Sequence, residues 1–265
     1  MFGKFNRVNL IIATAIGIFL GVGTQTRSVL ASTISLENSG FEIPEQTNAL
    51  IPGVGFFDFE TPPGWDLYDP NSLIPDDASL ATSFTGGWKP SEAFFATIPE
   101  GEQIGSIFLV PPGAGEVGFA QNSGAIIQPE TTYTLSAAVL DVPGLPGAEG
   151  FEGFPGYRLD LLAGDNVIAT DNNSVVINEG GFETATLSYT SSSNDLYLGE
   201  ALSIRLINLN LDDGNGFNDG NGIEVNFDDV RLTATSVSVS ESRSIIGYLV
   251  LASVLIPIKK KLSKK

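Results

Sequence analysis

The chain is 265 residues long and 42% hydrophobic; 31 acidic residues outnumber 13 basic ones, for a formal net charge of −18, and cysteine and histidine are both absent. Lacking those two residue types, it has no disulfide, no thiolate or imidazole metal ligand, no thiol nucleophile and no serine–histidine–aspartate triad. Between Ser32 and Ser242 only Lys89, Arg158, Arg205 and Arg231 face all 31 acidic residues, and so negative a body repels phosphate backbones, which argues against nucleic acid as a partner.

Residues 1–31 read as a signal peptide. Lys4 and Arg7 precede the apolar run Leu10–Val22, and "VLAS" puts small Ala31 ahead of a cleavage point before Ser32. From there to Thr235 apolar residues recur with period two in short runs broken by Gly, Pro, Asn and Asp, the pattern of half-buried antiparallel strands in one domain. The domain opens with "ENSGFE", Glu37–Glu42, followed by a long loop from Pro62 to Pro90. Trp65, flanked by prolines, reads as core filling, whereas Tyr68 and Trp88 have faces suited to stacking on a sugar ring.

Further along, "YTLSAAVLDV" sets Tyr133, Leu135, Ala137 and Val139 on one face. The Gly- and Pro-rich stretch Pro143–Gly156 is either a ligand-meeting loop or a flexible insertion. "YRLDLLAGDNVIAT" reads as a hairpin turning at Gly164–Asn166, and "FETATLSYT" and "ALSIRLINLNL" as strands. Leu211–Glu224, "LDDGNGFNDGNGIE", is rich in oxygen ligands but fails the EF-hand spacing: counted from Asp213, Phe217 stands at a ligand position and Asn218 where glycine is required. An acidic loop without metal is the simpler reading. In the closing "EVNFDDVRL", Val225 and Phe227 share one parity and Val230 and Leu232 the other, which predicts a β-bulge at Asp228–Asp229.

Residues 236–244 form a polar spacer, and 245–265 hold the apolar run Ile245–Ile258 with Lys259, Lys260, Lys261, Lys264 and Lys265 behind it. As a helix that run reaches about 21 Å against a hydrocarbon core of about 30 Å, so snorkelling lysines would have to extend it for membrane anchoring. The predicted fold class is therefore all-β, a jelly-roll antiparallel β-sandwich flanked by an N-terminal signal helix and a short C-terminal hydrophobic helix.

Two resemblances follow from these motifs. The last residues, with Val239 and Glu241 in "VSESRS" ahead of the apolar run and basic end, resemble PEP-CTERM sorting tails, although Ser240 and Ser242 stand where that motif has proline. The resemblance implies export and an exosortase-type processing enzyme as partner. The order of "NSGFE", "PPGW", "TYTLS", "LLAG" and "NFDDVRL" resembles secreted PEP-CTERM proteins and galactose-binding-like, carbohydrate-binding jelly rolls. That likeness implies a structural calcium held by Glu42 and Asp228, with Asp229 as the fallback ligand. On the residues alone, Glu42 and Asp228 serve equally as caps accepting backbone N–H bonds.

The expected function is a non-enzymatic, exported protein of the cell envelope or extracellular matrix. It would be held or processed through its membrane-directed tail, with polysaccharide at Tyr68 and Trp88. No catalytic residue is expected, because no carboxylate pair stands out from the acidic background and Lys89 is the sole lysine away from the termini. A structural or adhesive protein binding other subunits is the alternative, and a glycan-cleaving enzyme a third.

Overall fold

Period-two burial builds the molecule. In the computed structural model, which describes residues 27–239 apart from 48, 52, 80, 145–150, 152 and 212–222, the strands are β1 (Arg27–Ile34), β2 (Ala49–Ile51), β3 (Gly55–Phe57), β4 (Asp66–Tyr68), β5 (Phe84–Pro90), β6 (Ile104–Phe108), β7 (Val117–Ile126), β8 (Thr131–Asp141), β9 (Tyr157–Ala163), β10 (Asn166–Asn172), β11 (Phe182–Thr190), β12 (Ala201–Asn208) and β13 (Glu224–Val239). They pair into an eight-stranded sheet, β11-β8-β13-β6-β5-β3-β2 with β1 also on β13, and a five-stranded sheet, β10-β9-β12-β7-β4. Val29–Ser238 forms one compact unit.

The core between the sheets follows from alternation. Tyr133, Leu135, Ala137 and Val139 of β8 are all buried and meet Leu202, Ile204 and Leu206 of β12 from the opposing sheet, each large side chain contributing about 1.5–3 kcal/mol of burial. Trp65 belongs to this core, stacked on Phe41 at 5.1 Å, with its indole N–H donated to the Asn38 carbonyl at 3.0 Å. The hairpin at Gly164 is present between β9 and β10, with Gly164 at φ +57°. So is the bulge in β13. Its register against β8 shifts between Asp228 and Arg231, and Asp229 takes φ +45°. The shift lets Val225, Phe227, Val230 and Leu232 all reach the same core.

The expected long loop Pro62–Pro90 is corrected. It contains β4 and the whole of β5, which lies inside the eight-stranded sheet between β6 and β3. "TGGW" mimics a turn, yet Gly86 is there because a Cβ would stand 1.9 Å from the Asp58 carbonyl oxygen, where that backbone crosses to pair with Gly87. Close backbone approach, not chain reversal, explains the glycine.

β1 runs across the cleavage point expected before Ser32 and pairs with β13. Most of the expected signal helix, Glu241 and the apolar tail lie outside the described residues, and Val239 ends β13.

Candidate active site

A second hydrophobic cluster lies on the other face of the eight-stranded sheet, away from the sandwich core. By strand alternation, Phe84 and Trp88 of β5, Ile104 and Phe108 of β6, and Ala138 and Leu140 of β8 point this way. Aromatic contacts knit it: Phe84 stacks on Phe108 at 5.0 Å, Phe57 on Trp88 at 5.3 Å, and Phe94 meets Trp88 edge-on at 5.3 Å. Phe59 and Phe151 pack onto it half-buried and form its margin.

Into this apolar bed β13 projects polar side chains. Register pairs Glu224 with Phe108 and Phe108 with Phe84, and in the next row Asn226 with Ser106 and Ser106 with Gly86. The Ser106 hydroxyl donates to Asn226 Oδ1 at 2.5 Å, while Asn226 Nδ2 and Glu224 Oε1 are buried without a partner. Glu224 is only 4% exposed. Burial without a neighbouring cation penalises its charged form and pushes the carboxyl up to about 7, against the opposing pull of Ser106 and Asn226. The carboxyl thus holds its proton to higher pH than an ordinary carboxylic acid, and does so among aromatic rings, the setting a general acid needs.

Of the residues read from the sequence, Trp88 lies in this bed, and the rest are placed differently. Glu42 Oε1 accepts the backbone N–H groups of Glu102 at 2.8 Å and Gln103 at 2.9 Å. Asp228 Oδ2 accepts from Glu100 N–H at 2.8 Å and Oδ1 from Asp229 N–H at 2.7 Å. Both carboxylates thus cap one segment, Glu100–Gln103. Asp229 Oδ1 accepts from Arg231 at 2.7 Å. Burial pushes Asp228 up to about 8, with the charges of Glu100 and Asp229 adding to it.

Tyr68 and Trp88 are not brought together: they lie on different sheets. Trp88 is 1% exposed, its N–H donated to the Val54 carbonyl, so it has no free face for a sugar. Tyr68 lies under the Arg205 guanidinium at 4.3 Å and donates to Glu116 at 2.9 Å. Its hydroxyl is held up mainly by burial, then by Glu116.

Asp141 is a second buried carboxyl, held up to about 8 by burial and by Glu179, but it pairs opposite Val225 with the parity of the sandwich core and does not share the aromatic face. A cavity of about 520 Å³ beside β1, lined by Ile34, Ile126, Pro129 and Tyr133 among others, has no carboxylate in its wall.

Glu224 entered the sequence reading only as the last residue of a failed calcium loop. The usable signal was "EVNFD" beside strands carrying outward Phe84 and Phe108, legible only once the pairing is known.

The model of the HpiC1-like family, described as HpiC1 cyclase, matches residues 32–233. A Stig cyclase, Fisc, from Fischerella sp. TAU, solved with (3Z)-3-(1-methyl-2-pyrrolidinylidene)-3H-indole, is 36% identical over 77% of this chain and 98% of its own, with a TM-score of 0.69. A cyclase from Fischerella sp. TAU, solved with 4-(1H-indol-3-yl)butan-2-one, is 36% identical over 80% of this chain and 100% of its own, with a TM-score of 0.67. No curated protein matches the chain.

These findings correct the sequence reading. The body assigned to secreted PEP-CTERM proteins and carbohydrate-binding modules matches a cyclase family instead, so the expectation of a non-enzymatic matrix protein is overturned. Polysaccharide and exosortase give way as partners, since the similar structures hold small indole compounds. From Ser32 to Thr233, then, the chain belongs to the HpiC1-like cyclase family.

Proposed function

We propose that this protein is a cyclase acting on a small indole-bearing substrate held on the aromatic outer face of the eight-stranded sheet, with Glu224 as the proton donor. The observation that carries this reading is a protonatable carboxyl, buried and unpaired at one oxygen, in a bed of Phe and Trp side chains. The indole ligands of the similar structures support the substrate class.

The chemistry follows from the residues. Glu224 gives its proton to a π bond of the substrate, leaving a carboxylate and a substrate cation. The half-buried rings of Phe59 and Phe151 stabilise that cation through their quadrupoles, and the buried Phe84, Trp88 and Phe108 behind them exclude the water that would quench it. A second π bond attacks the cation, closing a carbon–carbon ring, and loss of a proton returns the acid to its starting state. No oxidant or reductant is consumed. Isothermal titration of the purified protein with 4-(1H-indol-3-yl)butan-2-one tests the site: saturable binding that weakens in Phe84→Ala supports it, and no heat of binding at millimolar probe rejects it.

A structural calcium is compatible with part of the predicted ligand set. Among the described residues no three acidic groups converge as a metal cluster, and Glu42 is committed to backbone amides. Yet a Cβ at Gly40 would stand 1.9 Å from Glu100 Oε2 and 3.7 Å from Asp228 Oδ1, so two carboxyls flank this glycine. Asp228 with Glu100 would hold the ion, which would neutralise that pair and tie the Glu100 segment to β13. We also assign the sandwich to the jelly-roll class and the chain to the exported proteins; the mass of the mature N-terminus tests the latter.

A further inference from the structure

We propose that Glu179 is a positioning residue that fixes Phe151 as a wall of the aromatic bed; this rests on the site assigned above. Phe151 packs against Phe108 at 5.8 Å, and Phe108 is the cross-strand neighbour of Glu224. Phe151 therefore stands one residue away from the acid, where it limits the shape a substrate adopts on protonation.

Among the described residues between Gly144 and Phe154 there is no backbone-to-backbone hydrogen bond, and the pairing resumes only where Pro155 and Gly156 accept from Leu211 and Leu209. Two described residues of this stretch, Gly144 and Gly153, donate to one carboxylate. Glu179 Oε2 accepts from Gly144 N–H at 3.2 Å and Oε1 accepts from Gly153 N–H at 2.5 Å, so both flanks of Phe151 converge on a single side chain.

The turn carrying Glu179 is itself anchored. Gly180 N–H donates to the Asp141 carbonyl at 3.0 Å, and Asp141 N–H to the Gly181 carbonyl at 3.1 Å, which fastens Asn178–Gly181 to the end of β8. Gly180, at φ +71°, lies so close that an added Cβ would stand 3.4 Å from Pro143 and 3.6 Å from the carbonyl oxygen of Phe94. Phe94 packs on Trp88. One turn thereby touches two sides of the bed.

The test uses Glu179→Gln, Phe151→Ala and the double variant of the purified full chain, with 4-(1H-indol-3-yl)butan-2-one as probe. Glutamine keeps one acceptor oxygen and loses the charge and the second acceptor. Because charge-assisted bonds to backbone amides are lost, probe affinity is expected to fall about fivefold in Glu179→Gln. Melting should move by no more than about 2 °C, since the side chain is at the surface. The double variant should bind no worse than Phe151→Ala alone, the non-additivity of residues acting through one another. Amide exchange at Gly144 and Gly153 should quicken in Glu179→Gln. Unchanged exchange, or losses that simply add, overturns the positioning role while leaving the bed intact. A wild-type chain that takes no probe, even with those amides protected, sinks the site reading itself.

Discussion

The two faces of the eight-stranded sheet are both buried, yet they are built to different rules. The inner face is aliphatic, dominated by Leu135, Val139, Val225 and Leu232 against the second sheet; the outer face is aromatic, is covered by loops in place of a sheet, and holds a carboxyl with a free oxygen. Such a group is costly in any core, because an unpaired buried polar atom costs about 1–3 kcal/mol. Asp141 on the inner face has an orphaned oxygen too, so what sets Glu224 apart is its place among aromatic rings.

The sharpest challenge to this contrast is Glu224→Gln, which preserves shape and removes the donated proton. Cyclisation of the cognate substrate should fall by about 10²–10⁴-fold with the fold retained. Full activity in Glu224→Gln together with its loss in a folded Asp228→Asn would move the acid four residues along the same face.

Next in size, truncation should separate the faces. Phe227→Ala opens the inner core and should cost about 3–5 kcal/mol in chemical denaturation. Phe84→Ala, beneath loops able to settle, should cost about half that and weaken probe binding. Equal stability losses with binding unchanged would erase the distinction.

The pH dependence follows in magnitude. Glu224 sits near 7 folded against 4.5 for the ordinary carboxyl, so between those values the native state holds the extra proton and stability falls as pH rises, by up to about 3 kcal/mol. Asp141 and Asp228, both raised to about 8, act with the same sign. Melting should therefore be higher at pH 5 than at pH 8, and Glu224→Gln should flatten the slope. Turnover should decline above pH 7 as the acid loses its proton.

The smallest effect concerns calcium. Ion binding at Asp228 and Glu100 should add about 1–3 kcal/mol at saturating concentration through mass action, read as a rise in melting temperature that a chelator reverses. Asp228→Asn should abolish that rise; a wild-type melting temperature indifferent to calcium removes the ion.

The strands were readable because alternation is local: Tyr133 to Val139, the Gly164 hairpin and the bulge at Asp228–Asp229 all follow from spacing along one segment. β5 was not, since "TGGW" carries the residues of a turn and its glycines answer to the Asp58 backbone arriving from elsewhere. The predicted ligands Glu42 and Asp228 do approach one segment, Glu100–Gln103, although by capping its amides. The acid was hidden for a related reason. In "EVNFD" the alternate polar residues imply a solvent-facing side, and nothing local says that Phe84 and Phe108 will roof it.

By itself, then, the sequence determined an acidic, all-β body free of thiol and imidazole chemistry, because composition and period-two patterning act residue by residue along the chain. Only the tertiary structure singled out Glu224 among the many carboxyls, by burying it with an unpaired oxygen among aromatic rings. A carboxyl changes from solvent-exposed anion to proton donor through what surrounds it, and Ser106 and Phe108 come to lie beside Glu224 from more than a hundred positions away in the chain.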